Sequence, residues 1–100
     1  MPALTLYWYV IYTYPNQERK IHSLLTHQDL IAYLPMHQVM RQWSDRVKAV
    51  MMPLFPNYLF VHIPDTDRAR VLQVPGVARF IAFEGRPAII AADEIEMIRL

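Results

Sequence analysis

One hundred residues, 54% of them hydrophobic and 19% charged, provide for one compact domain around a single core. Ten Lys and Arg against nine Asp and Glu leave a net charge of +1, so a polybasic tail is excluded and any nucleic-acid contact has to come from a local patch. The absence of cysteine excludes disulfide frameworks, thiolate metal sites and thiol nucleophiles, and fits a reducing compartment.

The first basic residue is Arg19, which leaves no positive segment for a secretory signal. The longest apolar stretch, Leu6 to Tyr14, is about half of the ~20 residues a membrane-spanning helix requires. The expected location is the cytoplasm. Tyr7 to Tyr14 is dense in aromatic and β-branched residues, is closed by Pro15, and predicts a strand that is apolar on both faces and therefore central. Asn16 offers an N-cap for an amphipathic helix to about Gln28, with Ile21, Leu24 and Leu25 inward and Arg19, Lys20, Ser23 and His27 outward. Ile31 to Gln42 and Val47 to Leu54 predict a hairpin, with Trp43-Ser44-Asp45-Arg46 as its turn and Arg41, Arg46 and Lys48 clustered around Trp43.

Pro53 and Pro56 place Leu54-Phe55-Pro56-Asn57 in a turn ahead of a strand from Tyr58 to Ile63. Alternation sets Tyr58, Phe60 and His62 on one face of that strand and Leu59, Val61 and Ile63 on the other. A short second helix is expected with Asp65 as N-cap, ended near Val74 by Pro75. A strand from Gly76 to Phe83, a turn at Glu84-Gly85-Arg86-Pro87 and an extended Ala88 to Ile90 follow. After Ala92 a third helix turns Ile95 and Ile98 inward, and a chain that stops at Leu100 in mid-helix is expected to be part of a longer protein. The order predicts an α+β sandwich: a mainly antiparallel four-stranded sheet flanked by about three helices. It forms one domain over residues 1–100, with residues 1–6 a loose N-terminal extension.

Chemistry is scarce in this chain. His22 and His27 diverge on their helix while His37 and His62 stand alone, so no metal site is expected. Ser23 and Ser44 lack a glycine-bordered elbow, two glycines cannot form a phosphate-cradling loop, and the acidic pairs sit at helix starts where the dipole accounts for them. No catalytic residue, enzyme activity or cofactor is expected. The aromatic inventory is the unusual feature, since Tyr12, Tyr58, Phe60, Phe80 and Phe83 all lie on strands of one small sheet. Each could serve the core, or the group could line a docking pocket. Phe80 and Phe83 are three apart, so both reach one pocket only if a bulge or a strand end intervenes.

Four ordered motifs carry a resemblance: Trp8-Tyr9-Val10-Ile11-Tyr12, Arg41-Gln42-Trp43-Ser44-Asp45-Arg46, Pro53-Leu54-Phe55-Pro56-Asn57-Tyr58-Leu59-Phe60-Val61 and Val74-Pro75-Gly76-Val77. Together, from Trp8 to Leu100, they resemble the N-terminal (NGN) domain of the NusG family of transcription elongation factors. The third motif is similar to the specialised paralogue RfaH, and the second to UpxY-type antiterminators of polysaccharide operons. The resemblance implies a ferredoxin-like α/β sandwich. It also implies a pocket of Tyr12, Tyr58, Phe60, Phe80 and Phe83 that binds the clamp helices of the RNA polymerase β′ subunit and suppresses pausing. Loss of Phe60 or Tyr58 would then cost about 2 kcal/mol or more of binding, unless Phe60 is structural.

The family's first helix and hairpin face upstream and non-template DNA, which assigns that role to Arg19, Lys20, Arg41, Trp43, Arg46 and Lys48. Tyr14 and Leu24 replace the residues with which RfaH reads its DNA element. The second helix, with Arg68 and Arg70, lacks the His-Thr-Thr motif that meets the polymerase β subunit. The family's C-terminal KOW barrel is absent from these residues, and a monomer is expected. A single-stranded RNA-binding module of RRM type is the alternative, since Tyr58-Leu59-Phe60-Val61 loosely mimics a stacking platform.

Overall fold

The structure is a computed structural model that describes residues 4–99, and the expected extension at residues 1–6 falls partly outside them. In chain order the elements are β1 (Tyr7–Thr13), α1 (Glu18–His27), β2 (Ile31–Tyr33), β3 (Met36–Trp43), β4 (Arg46–Pro53) and β5 (Tyr58–Ile63). A 3-10 turn at Asp65–Asp67 then leads into α2 (Arg68–Leu72), and β6 (Val77–Phe80), β7 (Ala82–Phe83), β8 (Arg86–Pro87), β9 (Ile89–Ile90) and α3 (Ala92–Arg99) complete the chain.

Because β1 is apolar on both faces it can pay no penalty for burial, and it lies at the centre of the sheet, in the order β2-β5-β1-β6. All pairings are antiparallel: β5 runs along β1 from Tyr7↔Ile63 to Tyr12↔Tyr58, and β2 pairs with the far side of β5. The second edge of β1 is shared end to end, by β9 at Trp8 and Tyr9 and by β6 at Ile11 to Thr13. Four strands thus form the continuous path, the two-residue β9 is a fifth segment off it, and β3-β4 and β7-β8 are separate two-stranded sheets.

Alternation sorts the side chains into two cores. Tyr9, Ile11, Leu59, Val61 and Ile63 meet Ile21 and Leu25 of α1 and Val71 and Val74 around α2. Each such aliphatic side chain taken fully from water contributes about 1.5–3 kcal/mol. On the opposite face Trp8 and Phe60 pack against Ile95 of α3. Helices on both faces of an antiparallel sheet give the expected α+β sandwich. The Tyr9 hydroxyl donates to Asp65 Oδ1 at 3.3 Å, and burial, followed by the negative charge of Asp65, raises its pKa above the ordinary tyrosine value.

Local differences from the sequence reading have identifiable causes. Asn16 does not cap α1: it turns the chain at φ 63°, and the cap position falls to Gln17. The segment expected to run unbroken from Ile31 to Gln42 divides at Leu34-Pro35, because Pro35 has no N–H for a ladder; Ile31–Tyr33 joins the main sheet and only β3 enters the hairpin. Trp43 and Arg46 are the last cross-strand pair of that hairpin, so its loop is Ser44-Asp45 alone. Asp65 is the first residue of the 3-10 turn instead of a cap, and its carboxylate is engaged by Arg68 Nε at 2.9 Å. The expected strand to Phe83 breaks at Ile81, whose N–H donates to Val10 O at 2.8 Å, and the chain then folds over a Glu84-Gly85 turn at φ 52° and 79°.

Gly76 has φ +100°, and a Cβ there would lie 2.9 Å from Ile21 Cδ1 and 3.3 Å from Gln17 Cβ. Gly76→Ala is therefore expected to destabilise the domain by on the order of 2 kcal/mol, read as a lowered urea midpoint at unchanged m-value.

Candidate functional site

Two surfaces collect the residues that the sequence singles out. The first lies on the α3 side of the sheet. The register Val10↔Phe60 and Tyr12↔Tyr58 places these four side chains in a square on one face, since each strand contributes alternate residues. Helix α3 covers only part of this face: Ile95 is fully buried against Trp8 and Phe60, while Tyr58 remains 36% exposed. At the open end the Tyr12 and Tyr58 rings meet edge to face at 5.5 Å, with the Arg79 guanidinium 5.6 Å from the Tyr12 centroid. Phe55 stands beside them, exposed, with its ring 6.1 Å from that of Phe60.

Not all five expected pocket residues come together. Tyr12, Tyr58 and Phe60 share the face, but Phe60 is a nearly buried wall and not an exposed anchor. Phe80 is a correction: it pairs with Ile11 and therefore points to the opposite face, where it packs edge to face on Tyr9 at 5.6 Å in the main core. Phe83 is highly exposed on the β7–β8 hairpin, which leaves the sheet beside Val10. The strand end expected between the two phenylalanines does exist, at Ile81, but it frees Phe83 without turning Phe80 around. Phe55 and Arg79 belong to the open surface and were missed. For Phe55 the signal was available in the Pro56-Asn57 turn, whose corners bring residues 55 and 58 together.

The second surface is the β3–β4 ribbon and the first turn of α1. Register puts Arg41 opposite Lys48 and Trp43 opposite Arg46, and alternation places all four on one face. Arg41, Trp43 and Arg19 line an open groove of about 400 Å³ with Asn16, Val50, Met51 and Met52. Arg19 reaches across to donate to the Met51 carbonyl, tying α1 to the ribbon. Lys20 is exposed on the neighbouring position of α1, and Arg46 and Lys48 continue the ribbon face outside the groove. Among the described residues no ion pair engages Arg41, Arg46 or Lys48, which leaves these cations available to phosphate, with Trp43, 55% exposed, between them. The ribbon's opposite face carries Met40 and Val47, also exposed.

Among the described residues no group of three or more His, Cys, Asp or Glu could hold a metal ion, and no helix is long and apolar enough to cross a membrane.

The fold agrees with comparison to known proteins. A family described as "Transcription termination factor nusG" matches residues 6–99, and the chain belongs to the NusG family. That family is one of transcription factors and not of enzymes. Among solved structures it is similar to Thermotoga maritima NusG, from work titled "Domain interaction in Thermotoga maritima NusG". The TM-score is 0.65 at 23% identity, over 94% of this chain and 55% of the other. That likeness bears on the fold, and the chain spans about half the length of the protein it matches.

Proposed function

We propose that this domain binds the β′ clamp helices of RNA polymerase through Tyr12 and Tyr58, walled by Phe60 and extended by Phe55 and Phe83. It contacts upstream or non-template DNA with Arg19, Lys20, Arg41, Trp43, Arg46 and Lys48. By holding the clamp in its elongating state it suppresses pausing and termination, and its motifs fit an operon-specific factor of the polysaccharide type. The domain works as a cytoplasmic monomer. The observation that carries the reading is the uncovered aromatic end of the α3 face: a sheet that buries Trp8 and Phe60 under a helix leaves Tyr12 and Tyr58 open beside them. An exposed apolar surface with polar tyrosine tips suits protein docking.

The RNA-module alternative requires an open sheet face on which bases stack. Ile95 sits over Phe60 and Trp8, so only the Tyr12 and Tyr58 end of the central strands is left for stacking. The test of function is transcription with the polymerase of the source organism on a template with a strong pause and a terminator. Added domain is expected to shorten the pause and raise read-through; a folded domain without effect on either contradicts the proposal.

The ribbon has its own test. Arg41→Glu with Lys48→Glu is expected to weaken single-stranded DNA binding at least tenfold and to flatten its salt dependence by about two phosphate contacts. Trp43→Ala is expected to weaken binding by about 1–3 kcal/mol with little change in salt slope, because stacking releases no counterions.

A further inference from the structure

Glu18 stands apart from the other charges of α1. It is 7% exposed, whereas its neighbours Arg19 and Lys20 face solvent. A buried carboxylate is costly unless hydrogen-bonded, and its partner here is backbone: Oε2 accepts the Asn57 N–H at 3.0 Å. Asn57 is the third residue of the turn Phe55-Pro56-Asn57-Tyr58, closed by Tyr58 N–H to Phe55 O at 3.1 Å. Proline at the second position and φ +73° at the third are the pattern of a type II turn. Types I and II differ by a rotation of about 180° of the peptide between those two positions, the one that carries the Asn57 N–H. An acceptor fixed at that N–H selects one of the two.

The selected turn has direct consequences for the aromatic surface. Its two end residues are Phe55 and Tyr58, whose rings meet Phe60 and Tyr12. Asn57 O in turn accepts Thr13 N–H at 2.8 Å, fixing the turn to the end of β1. We propose that Glu18 is a positioning residue for the polymerase-binding surface: its carboxylate holds the Pro56–Asn57 peptide in the orientation that presents Phe55 and Tyr58 together. The role rests on the clamp-helix reading and adds to it a residue that touches no partner.

The experiment measures binding of the chain to a purified β′ clamp-helix fragment, with folding of every variant followed by thermal unfolding. Glu18→Met fills the same space without an acceptor, Glu18→Gln keeps a carbonyl acceptor, and Asn57→Gly supplies a residue that adopts positive φ freely. Glu18→Met is expected to weaken binding about tenfold and Glu18→Gln less than about threefold. Adding Asn57→Gly to Glu18→Met is expected to restore affinity to within about threefold of wild type, because glycine favours the same turn without the carboxylate. Recovery by a residue that makes no new contact is not what general loss of packing would show. If Glu18→Met binds like wild type while Tyr58→Ala does not, or if glycine fails to restore binding, the positioning role is wrong and the docking surface stands. If Tyr58→Ala also binds like wild type, the docking surface itself falls.

Discussion

Phe60→Ala is expected to lower the unfolding free energy by about 3–4 kcal/mol, a large share of the roughly 5–15 kcal/mol available to a domain of this size. The ring is 7% exposed, lies under Ile95 beside Trp8, and touches Tyr33 at 6.2 Å and Phe55 at 6.1 Å between centroids. Truncation removes a large apolar volume where α3 and two strands meet, and neighbours fixed in the sheet cannot collapse into it. Urea denaturation checks this, and a loss below about 1 kcal/mol would mean that the second core closes without the ring. Reduced polymerase binding by this variant would therefore report folding as well as contact.

Tyr58→Ala is the cleaner probe and is expected to act the other way round. The side chain is exposed at a strand end and touches Tyr12 edge to face, so its removal should cost the fold about 1 kcal/mol or less. Clamp-helix binding should fall by about 2 kcal/mol, roughly thirtyfold, because a tyrosine at the centre of a docking surface is a typical anchor. Calorimetric titration beside thermal unfolding separates the two effects. Equal loss in both would place Tyr58 in the core instead of at the interface.

The sequence made the architecture legible wherever one face of an element had to be buried. Leu59, Val61 and Ile63 against Tyr58, Phe60 and His62 gave the two faces of β5 by alternation, and the Ile21 and Leu25 stripe gave the inner face of α1. The side of Phe80 was not legible, because it depends on the pairing with Ile11 and on a register shift beside Tyr12 and Thr13, both long-range. Asn16 and Asp65 looked like helix caps because cap and turn use the same residue types, and only the surrounding chain decided between them. The ribbon cations were legible as a cluster around Trp43, whereas the convergence of Arg41 with Arg19 on one groove depended on α1 packing beside β4. Glu18 reads as an ordinary first-turn acid; only the fold brings the Asn57 amide to its carboxylate.

The most direct test of the central claim is site-specific photocrosslinking in an assembled elongation complex, with a photoreactive phenylalanine in place of Tyr58 and, separately, of Trp43. The account predicts a crosslink from position 58 to the β′ clamp helices and one from position 43 to DNA. A crosslink from position 58 to nucleic acid, or none to β′ from a domain shown to be bound, would contradict it.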